Sequence, residues 1–148
     1  MATLLYNPVQ VIRAFALMNT ALVAHIQNRM YYPSIPEKDH SFPAISYQIL
    51  SGPFNQYIPY SRLLVEFRCY DSRERTPKQA SSTFKYLFDA IHDKQNVQAP
   101  DLETVEDFPI VYWSKCVSGP QPLTDPFTQW HFNRSLFEIA ITHDTISP

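Results

Sequence analysis

A chain of 148 residues fits one ordinary domain and buries about two-thirds of the surface its unfolded form exposes, which leaves room for a core of its own. A net charge of −2, with 45% hydrophobic and 18% charged residues, excludes a general nucleic-acid binder, which needs a basic surface to displace counterions from phosphates. Thirteen prolines against two glycines imply stiff connections, and Cys69 and Cys116, far apart in strand-like stretches, read as buried reduced thiols of a reducing cytoplasm.

From the N-terminus, Asn7 can cap a helix whose first position is Pro8, and Val11, Phe15, Met18 and Leu22 recur at helical spacing as one core-facing stripe. Asn19 and Thr20 are capping types, so the spacing predicts two short helices divided there, the second ending near Gln27. The apolar run 14–24 is preceded by one basic residue, is broken by Asn19 and Thr20, and is too short to span a membrane; a soluble, unprocessed chain with no membrane partner is expected.

Arg29 to Tyr32 allows only a short strand, after which Pro33, Pro36 and Pro43 hold an exposed charged connector. Residues 44–50 place Ile45, Tyr47 and Ile49 on one face, and residues 62–70 do the same for Leu63, Val65, Phe67 and Cys69. Between them lies Ser51, Gly52, Pro53, a tripeptide repeated at Ser118, Gly119, Pro120; together these hold the only glycines. Each follows an alternating stretch (44–50, 110–117) and precedes a proline-containing loop and a longer alternating stretch (62–70, 131–143). Glycine relieves the φ restriction while proline fixes φ and lacks an N–H, so each corner is expected to end a strand and open a hairpin loop, at 53–60 and 120–129.

Thr76, Pro77, Lys78 and Gln79 combine an N-cap, a proline at the first helical position and a capping-box glutamine. Ala80, Phe84, Leu87, Phe88 and Ile91 follow at helical spacing, each of the larger four contributing roughly 1.5–3 kcal/mol on full burial before entropy is subtracted. Residues 96–109 are acidic and irregular, and the buried face of 110–117 is not evident. In the last strand Phe137, Ile139 and Ile141 face the helices, alternating with Glu138, Ala140 and Thr142. The fold class expected is α+β: a mainly antiparallel sheet built from two hairpins plus a short strand, with the N-terminal and central helices packed on one face, as a single domain over 1–148.

No constellation points to catalysis. His25, His40, His92, His131 and His143 are scattered and lack metal-ligand spacing, so no metal or cofactor is expected. Asp39 beside His40, Asp93 beside His92 and Asp144 beside His143 are neighbours that a strand would point to opposite faces, and they read as surface polar residues. Neither glycine belongs to a phosphate loop and no serine sits in a Gly-x-Ser-x-Gly elbow; the expectation is a protein that is not an enzyme. Arg62, Leu64, Glu66, Arg68 and Tyr70 alternate outward, a row that reads either as a subunit contact or as a solvated sheet face. Phe54, Tyr57, Ile58 and Tyr60 in the first hairpin loop either anchor a partner or fold back over the core. With Pro120, Pro122 and Phe127 of the second loop, these supply the candidate subunit or partner contacts.

The segment 19–93 resembles the tail terminator (tail-completion) family of long-tailed bacteriophages in an ordered set of features. These are the short helix 21–26 leading into Asn28, Arg29, Met30, Tyr31, Tyr32, Pro33; the strand start at Phe42, Pro43, Ala44, Ile45, Ser46, Tyr47; the strand 62–71; and the helix after it. A closing strand over 134–142 also fits, whereas 95–130, with its Pro120, Pro122 and Pro126 loop, is longer than the family pattern needs. The resemblance implies a small α+β virion protein, assembled in the host cytoplasm, that forms a homo-oligomeric ring, usually a hexamer, on the head-proximal end of the tail. There it caps the tail tube protein, stops growth and offers a joining surface to the head–tail connector, with DNA passing through the lumen without sequence-specific binding. A head-completion or other neck protein shares the need for a ring. A competitor of another class is a small ligand- or nucleic-acid-binding α+β module using Tyr47, Phe67 and Tyr112, which demands an exposed aromatic platform.

Overall fold

In a computed structural model, which describes residues 4–5, 8–36, 42–52, 60–70, 80–98, 110–128, 130–142 and 144–145, the chain forms a mixed α+β fold with three helices and a curled six-stranded sheet. After a two-residue strand β1 (Leu4–Leu5), helices α1 (Pro8–Ala16) and α2 (Thr20–Ile26) meet at 98°. The break has a local cause. Asn19 stays extended and its Oδ1 accepts the Leu22 amide at 3.0 Å, capping α2 in place of a continuing helical turn. Val11, Phe15 and Leu22 are buried as their spacing predicts, but Met18 is 47% exposed: it lies beyond the end of α1, where the break turns the stripe away from the core. No single helix among the described residues is long and apolar enough to cross a membrane.

Helix α2 ends at left-handed Gln27 (φ 53°), whose N–H donates to the Val23 carbonyl at 2.7 Å. The Arg13 guanidinium then donates to the carbonyls of Asn28 (3.0 Å) and Met30 (3.4 Å), fastening α1 to strand β2 (Met30–Tyr31). Strand β2 runs parallel to β3 (Ala44–Ser51), which pairs antiparallel with β4 (Tyr60–Tyr70). Helix α3 (Ala80–Ile91) follows, then β5 (Lys94–Gln98), β6 (Ile110–Thr124) and β7 (His131–Thr142), and the sheet order is β2-β3-β4-β7-β6-β5. A last strand, β8 (Asp144–Thr145), pairs with β1.

One main core holds the covered face of the sheet: Ile45, Tyr47, Leu63, Val65, Phe67, Cys69, Phe137, Ile139 and Ile141 cluster with Val11, Ile12, Phe15, Leu22 and Ile26 of the first two helices and Leu87 and Ile91 of α3. Tyr47 donates its hydroxyl to the Val9 carbonyl at 2.7 Å, and burial pushes its phenol up to about 12. His25 links α2 to α3 through Thr83 Oγ1 at 3.0 Å and stacks on Tyr86. The capping set at Thr76 to Gln79 lies outside the described residues.

Several expectations are corrected by the second half of the chain. Residues 96–109 are not irregular throughout, because 94–98 form edge strand β5, where Asn96 takes a left-handed φ of 53°. Of the His–Asp neighbours, His92 is no plain surface residue: it stacks on Phe88 at 4.1 Å and its Nδ1 accepts the Cys116 amide at 3.0 Å, holding α3 to β6. Cys116 is half-buried rather than buried, with its thiol donating to the Ser118 carbonyl at 3.5 Å, while Cys69 is fully buried.

The largest correction concerns the second Ser-Gly-Pro. It does not end a strand and its prolines do not open a loop at 120, since β6 continues through Gly119, Pro120 and Pro122 to Thr124. Ser118 pairs with Leu136 and Gln121 with Arg134, so Gly119 and Pro120 together face Ser135 as a bulge. Gly119 takes φ +104°, and a Cβ there would stand 2.7 Å from the Arg134 carbonyl oxygen and 2.9 Å from the Ser135 Cα. Two further register shifts, between Val111 and Trp113 and between Cys116 and Ser118, bend the same strand. Each inserts one residue and so exchanges the faces of everything after it, which is why simple alternation over 110–117 shows no buried side. Val111 faces the core, Trp113 does not, and Ser114 and Cys116 pair again with the core residues Ile139 and Phe137.

Candidate functional site

The face of the sheet opposite the helices carries the candidate contact residues. Along β4 the outward row is Arg62, Leu64, Glu66, Arg68 and Tyr70, as alternation predicts, and β7 places Phe132, Arg134, Leu136 and Glu138 beside it through the pairs Arg68 with Arg134 and Leu64 with Glu138. Glu66 is the hinge of this arrangement. Its Oε1 accepts Arg68 Nε at 2.6 Å and its Oε2 accepts Arg134 Nε at 2.9 Å, while its side chain is only 8% exposed against 40% and 32% for the two arginines. Burial pushes the Glu66 carboxyl up, but hydrogen bonds and charge from Arg68 and Arg134 prevail and hold it below its ordinary value. Burial likewise opposes the charge on Arg68, and the Glu66 carboxylate more than compensates.

Around this triad the chemistry divides. Toward one end Ile35, Ala44, Tyr70 and Phe132 are buried in a second small core with Tyr31, Phe42, Leu123 and Trp130, and the Arg68 guanidinium lies 5.0 Å over the Phe132 ring. Among the described residues no helix side chain belongs to this cluster. Toward the other end Arg62 meets Glu138 at 3.3 Å, and Lys115, paired with Glu138 across the strands, sits 5.1 Å over the Trp113 ring. Among the described residues of β4, β6 and β7 on this face, four cations, Arg62, Arg68, Arg134 and Lys115, accompany two carboxylates, Glu66 and Glu138, so these strands present a surplus of positive charge on a chain whose net charge is −2. Half-buried Leu64 and Leu136 lie among them.

The hairpin β6–β7 closes through Asp125 to Thr128, where Phe127 is 93% exposed. Pro120 and Pro122 are exposed on β6 rather than in a loop. Of the first hairpin's candidates, Phe54, Tyr57 and Ile58 lie outside the described residues; Tyr60 opens β4 opposite Thr142, its side chain undescribed. The structure thus brings Arg62, Glu66 and Arg68 into one patch, with Phe127 at a hairpin tip. It adds Arg134, which the sequence reading passed over although 132, 134, 136 and 138 form the complementary outward set of the last strand. Tyr47, Phe67 and Tyr112 do not form the exposed aromatic platform expected of a ligand-binding module: Tyr47 and Phe67 are buried in the main core, and Tyr112, the inserted residue of a bulge, is partly open.

Among the described residues no group of histidine, cysteine, aspartate and glutamate is placed to hold a metal ion. No protein-family model and no curated protein matches the chain.

Proposed function

We propose that this chain is a non-enzymatic virion assembly protein of the tail terminator type, which caps the finished tail tube as a ring and presents the joining surface for the head–tail connector. What supports the reading is the resemblance over 19–93 and 134–142 together with the open face of the sheet. On that face charged and apolar side chains are held in fixed places by the Arg68–Glu66–Arg134 triad instead of being left as separate solvated ions. Within this reading the two hairpins β3–β4 and β6–β7 form the frame of the sheet, and the helices cover one side so that the other stays free for assembly. The surplus of cations there suits a partner surface that is acidic and partly apolar.

The test is to mix the purified protein with the tail tube protein of the same virus and image the product by electron microscopy. Tubes of arrested length carrying a ring at one end are the expected result. A protein that remains monomeric and lets tubes grow past it overturns the proposal, and one that ignores tubes but binds the portal end of filled heads belongs to the neck instead.

A further inference from the structure

The turn between β6 and β7 is a well-fastened support for a side chain left in solvent. The Asp125 amide donates to the Trp130 carbonyl at 2.9 Å, and Asp125 Oδ1 accepts the amides of Phe127 (2.8 Å) and Thr128 (3.1 Å). Trp130 is held between Phe42 and Tyr70, with ring centroids 5.2 and 6.2 Å away. On this support Phe127 is 93% exposed, about twice the next large hydrophobic, Met18 at 47%. A single exposed apolar residue is ordinary. One presented by a turn that is already ordered loses little entropy on docking, which is the property of an interface anchor.

At the far end of β6 a solvent-open cleft of about 190 Å³ lies between the ends of α1 and α3 and strand β5, lined by Phe15, Met18, Asn19, Ala90, Lys94 and Val97. A closed apolar cavity of about 150 Å³ takes up benzene, so this open cleft, part apolar and part polar, has room for a phenyl ring. Its rim carries the exposed Lys94, and the half-buried Asp125 stands two residues before Phe127, so the cleft and the turn carry opposite charges. The two features are remote within one copy. Lys94 pairs with Ser114, whereas the turn lies past Thr124, and at about 3.3 Å per residue the strand between spans roughly 30 Å.

We infer that Phe127 of one copy seats in this cleft of a neighbouring copy. A knob and a hole at opposite ends of the same strand form a heterologous contact, the kind that closes into a ring when the rotation between copies suits. The contact supplies the subunit-to-subunit step of the ring proposed above, and it rests on that reading. The exposed Met18 that the helix break turns away from the core becomes, in the assembled state, one wall of the Phe127 socket.

Two proteins made in a Cys116→Ser background, Phe127→Cys and Met18→Cys, each keeping only the fully buried Cys69 besides its introduced thiol, test this when mixed under mild oxidation with and without tail tubes. Both substitutions are at exposed positions, and circular dichroism checks that each variant keeps the fold. A mixed 127–18 disulfide is expected in the mixture, and Phe127→Ala is expected to raise the concentration needed for self-assembly roughly thirtyfold or more, as loss of an anchor does. Rings that form normally yet give no mixed disulfide overturn the socket and leave the ring reading standing. So does a Phe127→Ala protein that forms rings normally but no longer binds tubes, which makes the tube subunit the occupant. A wild-type chain that neither self-associates nor caps tubes, and whose variants do not cross-link, overturns the ring and the contact together.

Discussion

On the covered face of β4, Leu63, Val65, Phe67 and Cys69 are packed among helix side chains, whereas one step along the strand Leu64, Glu66 and Arg68 stand on a face whose own small core, among the described residues, draws on no helix. The covered face is stabilised by area removed from water, which depends little on direction; the open face is organised by three charged groups whose placement is directional. The first is therefore sensitive to volume and the second to charge. A change on one should register as lost stability and a change on the other as lost order or assembly.

Phe67→Ala sets the upper end of that comparison. It empties a fully buried ring position that packs edge-on against Phe137 at 5.4 Å, and a loss of about 3–5 kcal/mol is expected from the shift in urea midpoint at unchanged slope. A loss below 1 kcal/mol would mean the core repacks and the faces differ less than described. Gly119→Ala should follow at about 2–5 kcal/mol, combining strain at φ +104° with overpacking against the β7 backbone. Its proton and nitrogen chemical shifts should move along both β6 and β7, because the bulge sets the register of both.

Glu66→Gln comes next. Removing the shared carboxylate leaves Arg68 and Arg134 opposed across the strands and should cost about 1–3 kcal/mol at neutral pH. The sign of the pH dependence follows from the lowered Glu66 value: the wild-type advantage is present above the ordinary carboxylate value of 4.5 and disappears as pH falls through the lower folded value. Unfolding curves of the two proteins should therefore converge on acidification; curves that stay parallel would place the effect in packing. Leu136→Ser is the smallest in stability, within about 0.5 kcal/mol of wild type, as for a half-exposed surface position. It sharpens the comparison by its second readout, a weakened assembly on tubes that the Phe67 variant, once folded, does not share.

Much of the covered face was legible because β3, β4 and β7 obey simple alternation, and Ile45, Tyr47, Val65, Phe67, Phe137 and Ile139 fall where a period of two puts them. Strand β6 was not, because three insertions in 15 residues change which face each residue meets, and an insertion is visible only against the partner strand. The open face was half legible. Its row on β4 follows from the same alternation, but the near-complete burial of Glu66 depends on Arg134, 68 positions away, and on their strands being neighbours. The aromatic cluster that fastens the Phe127 turn joins Phe42, Tyr70 and Trp130, of which only Tyr70 belongs to an alternating stretch.

The two Ser-Gly-Pro tripeptides show where that boundary lies. By itself the sequence determined that each place would free φ at glycine and remove a donor at proline, and both chain segments do depart from regular pairing there. Only the tertiary structure decided the outcome. At Gly52 β3 has just ended, and an added side chain would run into Leu63, a flexible neighbour. At Gly119 strand β7 continues on both sides, pairing Leu136 with Ser118 and Arg134 with Gln121, so the same three residues become a bulge inside a strand. The physical reason is that local chemistry limits which backbone angles are available, whereas the hydrogen-bonding partner across the sheet selects among them.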